Sequence, residues 1–300
     1  ARVLTAFAHG TFFGVGSEVA TSLVPADKKA SAIAIMFTGL TVANILGVPF
    51  GTWLGQAYGW RATFWAVTFV GIAALAVIAL FVPMDRQETA EGGNLSDELK
   101  VLSRRPVLLG LLTTVLGYAG VFAVFTYIAP ILTQITGFSE DAVSPILLVF
   151  GGGLVLGNLL GGKLADRRLM ATLLGSLGLL AVVLAAMTLG IHNKVAAVAF
   201  VGLLGAAAFA TVPPLQMWVL EKADGAGQSL ASSLNIAAFN LGNALGAWLG
   251  GFVIDHGPGL GSVTWVAALL PASGLLLALW SRRLDRAGAS MKWKPVKAGI

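Results

Sequence analysis

Three side chains that carry polar or ionisable groups share one face of the first apolar segment. Arg2, Thr5 and His9 fall within a narrow arc of a helical wheel, so a cation and an imidazole lie close together. Ionisable groups are costly inside apolar helices and often mark transport or ion sites. We therefore treat His9 as a candidate for substrate contact or proton coupling, and Arg2 as a candidate for proton coupling. A purely structural histidine is the alternative.

A second group of candidate residues lies on the fourth apolar segment. Its members, spaced by four, four and three residues, fall on a single helical stripe. A stripe of this kind either lines an internal cavity or faces lipid, and the spacing leaves both interpretations open. The stripe consists of Thr114, Tyr118, Phe122 and Phe125.

Polar residues also accompany two later segments. In the sequence VPPLQ, Gln216 follows two consecutive prolines, a pattern typical of a hinge beside a polar contact. The next segment carries a polar stripe of Ser232, Ser233, Asn240 and Asn243. Interhelical hydrogen bonding explains this stripe as well as ligand binding does. Gln216, Asn240 and Asn243 are candidate cavity residues.

Glycine recurs at every fourth position in two similar stretches. The sequences GVPFGTWLG at 47–55 and GNALGAWLG at 242–250 share this spacing. Such glycines form a flat ridge that lets two helix backbones approach closely. Pro49 removes a helical hydrogen bond and should kink the first ridge. We predict that the ridge of Gly47, Pro49 and Gly51 packs against a neighbouring helix.

The composition identifies the elements that must position these residues. Of 300 residues, 57% are hydrophobic and 11% are charged, and the mean hydropathy is +0.85. A soluble domain does not have this composition. Nine uniformly apolar stretches are long enough to cross a bilayer, and they lack the alternation of barrel strands. The sequence thus predicts an all-α membrane protein. The stretches are 1–24, 30–57, 60–83, 107–130, 142–164, 170–191, 194–219, 228–254 and 262–281.

The basic residues predict the orientation of these helices. Almost all Lys and Arg residues fall in one set of alternate loops and in the C-terminal tail, whereas the opposite set holds only Arg61 and Lys194. Because Lys and Arg are retained on the cytoplasmic side, we expect a multi-pass protein with a cytoplasmic C-terminus. The net charge of +5 then reflects topology, and the basic tail is expected to contact anionic lipid rather than nucleic acid.

An internal repeat predicts the domain organisation. An offset of 195 residues, from Gly51 to Gly246, relates the first three apolar segments to the last three. The three segments between them have no such partners. We therefore expect a parent of two parallel six-helix halves, of which about ninety N-terminal residues are missing. The predicted parts are 1–83, the rest of the first half; 84–106, a cytoplasmic linker; 107–283, the second half; and 284–300, a basic tail.

Three short motifs resemble those of the major facilitator superfamily. GGKLADRR at 161–168 is similar to its loop motif, and RVLTAFAHG at 2–10 is similar to its Arg-containing fourth-helix motif. GVPFGTWLG at 47–55 resembles the Gly-Pro motif of its proton-driven exporters. The likeness covers the whole chain, as helices four to twelve of the drug and sugar efflux branch, particularly arabinose-efflux-permease-like proteins. It implies a helical bundle of the superfamily type, with about nine of twelve transmembrane helices present.

The resemblance also implies roles for residues in two of the motifs. Gly47, Pro49 and Gly51 would seal the protein against proton leak. The loop motif departs from the family pattern, because Leu169 and Met170 replace its usual Gly-Arg end. This departure weakens any expectation about the gating strength of the loop.

Gly162, Asp166 and Arg167 are the expected gating residues of the loop motif. The carboxylate of Asp166 would face the N-terminal dipole of the helix that begins near Lys28 and so latch the two halves together. A solvated loop charge is the alternative interpretation.

The sequence favours a secondary transporter of the bacterial inner membrane. We expect a monomer that exports a small organic solute by alternating access, driven by proton entry. The alternative is a proton-coupled symporter that imports a polar metabolite. No Walker sequence is present, so ATP is not the direct energy source. An enzyme is disfavoured because His9, His192 and His256 lie far apart without metal-ligand spacing, so no catalytic residue, metal or cofactor is expected.

Overall fold

A computed structural model describes residues 2–81, 100–223 and 227–292, and within these ranges the secondary structure is helical, without strands. The predicted all-α architecture is therefore confirmed. Residues 84–99 of the predicted linker and residues 293–300 of the predicted tail lie outside the described residues. The main helices are α1 Arg2–Ser22, α2 Lys29–Val42, α3 Val48–Tyr58, α4 Trp60–Phe81, α5 Arg105–Phe125, α6 Glu140–Gly190, α7 Lys194–Ala210, α8 Val212–Ala223, α9 Gln228–His256 and α10 Val263–Lys292.

Seven helical stretches of the described chain are long and apolar enough to cross a membrane, so the predicted count of nine is not confirmed. One of them, α6, has 51 residues and includes a non-helical backbone conformation at Arg168. It therefore contains two of the predicted segments, because a single crossing of about 30 Å needs only about twenty residues. The first predicted segment corresponds to α1, which is not among the seven. Polar groups such as His9 and Glu18 lower its hydropathy.

Prolines explain two places where a predicted segment is divided. Between α2 and α3 the backbone forms a π-helical turn at Ala43–Gly47, just before Pro49 in the first turn of α3. Between α7 and α8 the helix breaks at Thr211, next to Pro213 and Pro214. Proline has no amide hydrogen, so the preceding turn loses a backbone hydrogen bond and the helix changes direction. The predicted hinge before Gln216 thus coincides with a helix break.

Two glycine ridges bring helix backbones into direct contact. On α6, Gly153, Gly157 and Gly161 face α7, and a Cβ atom on Gly157 would lie under 3.0 Å from the backbone of Ala206. On α9, a Cβ atom on Gly246 would meet the backbone of α5 in the same way. Any side chain larger than hydrogen would push these helices apart. The ridges therefore set the distance between α6 and α7 and the distance between α5 and α9.

The predicted ridge of Gly47, Pro49 and Gly51 needs correction. A Cβ atom added to Gly47 would have no atom of the described residues within 4 Å, whereas one added to Gly51 would lie 3.4 Å from the methyl group of Thr63 on α4. The Thr63 hydroxyl also donates to the Gly51 carbonyl at 3.1 Å. The neighbour of Gly51 is therefore α4, and Gly47 has no comparable contact among the described residues. The Pro49 side chain lies outside the described part, and the seal remains a prediction.

Candidate functional site

Asp166 joins two parts of the chain that are distant in sequence. Its Oδ1 accepts the backbone N–H of Ala30 at 2.7 Å, and its Oδ2 accepts that of Ser31 at 3.1 Å. These N–H groups belong to the first turn of α2, where no helical partner exists for them and the helix dipole is positive. The carboxylate on α6 therefore caps α2. Arg167 lies exposed beside this contact.

The same face of α6 continues the contact with α2. A Cβ atom on Gly162 would lie 2.6 Å from the Cβ atom of Ala34, so the two helices touch there. One turn earlier, the buried Asn158 amide donates to the Ala34 carbonyl and, at 3.1 Å, to the Thr38 hydroxyl. Asn158 is not among the residues predicted from the sequence. The available signal was its place four and eight residues before Gly162 and Asp166, which puts all three on one helix face.

A buried hydrogen-bond network makes a second connection, between α1, α5, α8 and α9. Gln216 Nε2 donates to Ser232 Oγ at 2.7 Å, and Ser232 Oγ donates to the Gly14 carbonyl at 2.8 Å. Asn235 Nδ2 donates to Gln216 Oε1 at 2.7 Å, and Thr114 Oγ1 donates to Asn235 Oδ1 at 2.7 Å. All four side chains are fully buried. Inside an apolar bundle, such a satisfied network holds its helices in one arrangement.

The network assigns structural positions to two residues predicted to line a cavity. Thr114 and Gln216 lie within it, and neither lines the two cavities described below. Ser17 on α1 extends it, with its hydroxyl 3.4 Å from Gln216 Nε2. At the next position along α1, Glu18 accepts a hydrogen bond from Ser229 of α9. Ser232, which belongs to the polar stripe predicted on α9, thus forms hydrogen bonds between helices.

These contacts between α1–α4 and α5–α10 lie at one end of the bundle, which we call the Asp166 end. They involve α1 from Gly14 onward and α2 up to Thr38. Two cavities are lined instead by residues between Thr5 and Gly10 of α1, and by Leu40 of α2 with Ile45 of the turn that follows. The hydrogen bonds described here between the two helix groups therefore lie at the Asp166 end, and the two cavities lie between helices toward the opposite end.

The larger cavity, here called the apolar cavity, has a volume of about 570 Å³. Tyr118, Phe122 and Phe125 of α5 line it, so this part of the predicted stripe faces a cavity and not lipid. Phe150 of α6 stacks on Phe125 with ring centroids 4.6 Å apart. Asn243 of α9 supplies a polar group, and its buried Oδ1 has no hydrogen-bond partner among the described residues.

The second cavity, here called the His9 cavity, has a volume of about 540 Å³ and lies between α1 and α9. Thr5 and His9 line it from α1, and Asn240 lines it from α9. The His9 ring also contacts Phe13, with centroids 4.8 Å apart. The predicted arc on the first helix thus faces a cavity, although the Arg2 side chain lies outside the described part of the chain.

The structure adds cavity residues that sequence reasoning missed. Phe150 and Phe209 line the apolar cavity from α6 and α7, opposite the stripe on α5. Nothing in their local sequence distinguishes them from other buried phenylalanines. Asn240 and Asn243 were predicted as one group, but the structure places them in different cavities. Three residues of helix turn through about 300°, which leaves the two side chains about 60° apart, so one side of α9 borders both cavities.

Comparison with known proteins identifies the family. The family model of the Major Facilitator Superfamily matches residues 1–232. The Inner membrane transport protein YdhP of Escherichia coli O157:H7 is 47% identical over 282 residues, covering 94% of this chain and 72% of that protein. The Chloramphenicol resistance protein of Streptomyces lividans is 37% identical over 279 residues, covering 92% of this chain and 71% of that protein.

A solved structure supports the same assignment at the level of the fold. The crystal structure of the Escherichia coli fucose:proton symporter FucP superposes with a TM-score of 0.72 at 16% identity. The match covers 90% of this chain and 73% of that one. Together with the apolar helices and the family match, these findings show that the chain belongs to the major facilitator superfamily of multi-pass membrane transport proteins.

Proposed function

We propose that this protein exports a small organic solute across the bacterial inner membrane in exchange for protons, by alternating access. One observation carries the proposal: the two helix groups are joined at the Asp166 end, while cavities lie between helices toward the opposite end. A transporter that alternates needs one closed end and one accessible end in each state. The arrangement described here is one of those two states.

The closed end is built from contacts that can separate. Asp166 is bound to α2 by two hydrogen bonds, and Gly14 is bound to Ser232 by one. Small residues such as Gly162 let the helices meet without interlocking large side chains. Contacts of this kind hold one state by a few kcal/mol at most, which a differential ligand affinity of ordinary size can overcome.

The distribution of charge suggests which end faces the cytoplasm. Lys28, Lys29 and Lys222 lie in turns or helix ends at the Asp166 end, and Arg167 lies beside the kink of α6 at Arg168. Because basic residues are retained on the cytoplasmic side, we place the Asp166 end and the C-terminus in the cytoplasm. On this basis the described state is open outward. The moving parts would be the two halves proposed from the sequence repeat, 1–83 and 107–283, acting as a monomer.

Helix α9 offers a physical connection between substrate and proton. Its Asn243 faces the apolar cavity, and its Asn240 faces the His9 cavity. A solute bound at one asparagine and a proton bound near the other therefore act on the same rigid helix. His9 is the proposed proton-binding group because its imidazole lines this cavity and can carry a proton.

The direction of transport separates the two candidate functions. The name of the chloramphenicol resistance relative and the Gly-Pro motif support export. Import by symport remains the second candidate, because the superposed fucose:proton symporter shares this fold. Both candidates use the same cavities, so the bundle geometry serves either direction.

Transport in vesicles tests the proposal. In everted vesicles with an acidic lumen, radiolabelled chloramphenicol should accumulate inside, and a protonophore should abolish the accumulation. Vesicles without the protein are the control. Accumulation only in right-side-out vesicles with an acidic exterior would support import by symport, and accumulation that is insensitive to the protonophore would contradict proton coupling.

A further inference from the structure

Helices α1 and α9 are in contact toward the Asp166 end and separated toward the opposite end. A Cβ atom on Gly14 of α1 would lie under 3.0 Å from Ser233 of α9, so the two backbones approach closely there. About one turn farther along each helix, Gly10 and Ala237 line the His9 cavity. A Cβ atom on Gly10 would meet no described atom within 4 Å. The same two helices are thus closed at one level and open at the next.

Small residues continue from the closed level into the open one. On α1, Ala6, Gly10 and Gly14 occur at every fourth position, and on α9 Ser233 and Ala237 have the same spacing. Residues at this spacing lie on one helix face, and small side chains let two backbones meet. The open level can therefore close by the kind of contact that exists at Gly14. Closure at this level is the movement that alternating access requires at the end opposite Asp166.

Closure would remove water from two polar side chains with complementary hydrogen-bonding groups. His9 of α1 and Asn240 of α9 both line the cavity. The His9 ring contacts Phe13, with centroids 4.8 Å apart, and its nitrogens have no hydrogen-bond partner among the described residues. Asn240 Nδ2 donates to the Ile236 carbonyl at 2.9 Å, so the remaining atom of this amide is the acceptor Oδ1. Polar groups that lose water need a partner inside the protein.

Resting on the proposed transport function, we infer that Asn240 Oδ1 accepts a hydrogen bond from protonated His9 when α1 and α9 close the cavity between them. Protonation makes both ring nitrogens donors, so the imidazolium can donate whichever nitrogen carried the proton before. A hydrogen bond from a charged donor is roughly twice as strong as one between neutral groups. Proton binding therefore favours closure of this end. Asn240 is thus a positioning residue for the coupled proton.

No ionisable residue other than His9 lines this cavity among the described residues. The side chain of Arg2, on α1, lies outside the described part. The other ionisable residues of α1 and of the two helices packed against it are Glu18 at the Asp166 end of α1, Lys29 at the start of α2, and Asp255 and His256 at the C-terminal end of α9. A response to pH that needs both proposed partners would therefore belong to this pair.

The distance between spin labels on α1 and α9 tests this inference. The chain has no cysteine, so Leu4→Cys and Leu245→Cys, both at exposed positions, place one label on each helix outside the cavity lining. Double electron–electron resonance on the purified chain in detergent micelles measures the distribution of distances at several pH values. We expect acidification to raise the ratio of short to long distances about tenfold.

Further variants assign the response to the two partners. His9→Ala and Asn240→Leu should each remove the response to acid, and combining them should have no further effect because they act on one hydrogen bond. Asn240→Asp keeps an acceptor oxygen and should keep the response. The controls are Gln134→Leu and His192→Ala, at exposed positions outside the cavity. Both should respond as the unsubstituted protein does.

The outcomes separate this pairing from the transport function. Distances that do not change with pH, or a change that survives in Asn240→Leu, would overturn the pairing even if His9→Ala failed to fold. Proton-coupled efflux with an unchanged pH profile in Asn240→Leu would overturn the pairing and leave the transport function intact. A response that Asn240→Leu removes, without proton-driven accumulation of chloramphenicol in everted vesicles, would support the pairing and count against the proposed export.

Discussion

Asp166 and Ala30 lie 136 residues apart in the sequence, and a hydrogen bond of 2.7 Å joins the carboxylate of one to the backbone N–H of the other. This bond connects α6 to the first turn of α2, and thereby the second helix group to the first. A carboxylate at a helix N-terminus is stabilised by the free N–H groups and by the helix dipole. The contact therefore favours the state in which the Asp166 end is closed.

Asp166→Asn should weaken the closed end, because the amide keeps one acceptor but loses the negative charge. We expect the state with a closed Asp166 end to lose about 1 kcal/mol of stability relative to the other conformation, which changes the ratio of the two conformations roughly fivefold. The chain has no cysteine, so a single Ala6→Cys in the His9 cavity can report accessibility. Its maleimide labelling should slow in Asp166→Asn. Asp141→Asn, exposed at the other end of α6, is the control, and equal rates in both variants would contradict a latch.

Gln216→Leu should destabilise the protein as a whole. The substitution leaves Asn235 Nδ2 and Ser232 Oγ without their buried partner, which costs about 2–3 kcal/mol of unfolding free energy. Unfolding in mixed micelles, followed by circular dichroism, measures the change. Gln134→Leu, at an exposed position, should alter stability little. Similar losses in the two variants would show that the network does not stabilise the fold.

Two glycine substitutions should have opposite effects. Gly246→Ala places a Cβ atom against the backbone of Ala119, so α5 and α9 must separate. We expect the free energy of unfolding to fall by about 3 kcal/mol, or the variant to fail to fold. Gly47→Ala faces open space among the described atoms and should be neutral or stabilising by about 1 kcal/mol. Thermal unfolding measures the melting temperature of each variant. Equal melting temperatures would contradict the close contact of α5 and α9 at the glycine ridge.

His9→Ala should slow proton-coupled efflux and flatten its dependence on pH. The reason is that His9 is the proposed proton-binding group in the cavity between α1 and α9. Initial rates of efflux in vesicles, measured at several pH values, give the profile. His192→Ala removes an exposed histidine from a turn and should leave the profile unchanged. An unaltered profile in His9→Ala would return His9 to a structural role.

Local sequence predicted the features that depend on neighbouring residues. Apolar stretches indicate membrane helices because every backbone polar group must be bonded within the segment, and a helix achieves this. The four-residue spacing of Gly242 and Gly246 predicts a flat face, since residues one turn apart lie on the same side. Even here a π-helical turn at Ala43–Gly47 interrupts the segment predicted at 30–57. A change of helix type is not visible in a pattern that assumes regular geometry.

The sequence by itself therefore determined the membrane class, most of the helical segments and the family resemblance, and it supplied the candidate residues for transport. Only the tertiary structure decided their roles. Thr114 and Tyr118 lie on one predicted stripe, yet Thr114 bonds to Asn235 and Tyr118 lines a cavity. Gln216 meets Ser17 across 199 residues of sequence. Such assignments depend on which helix faces each side chain, and helical periodicity gives the face but not the neighbour that covers it.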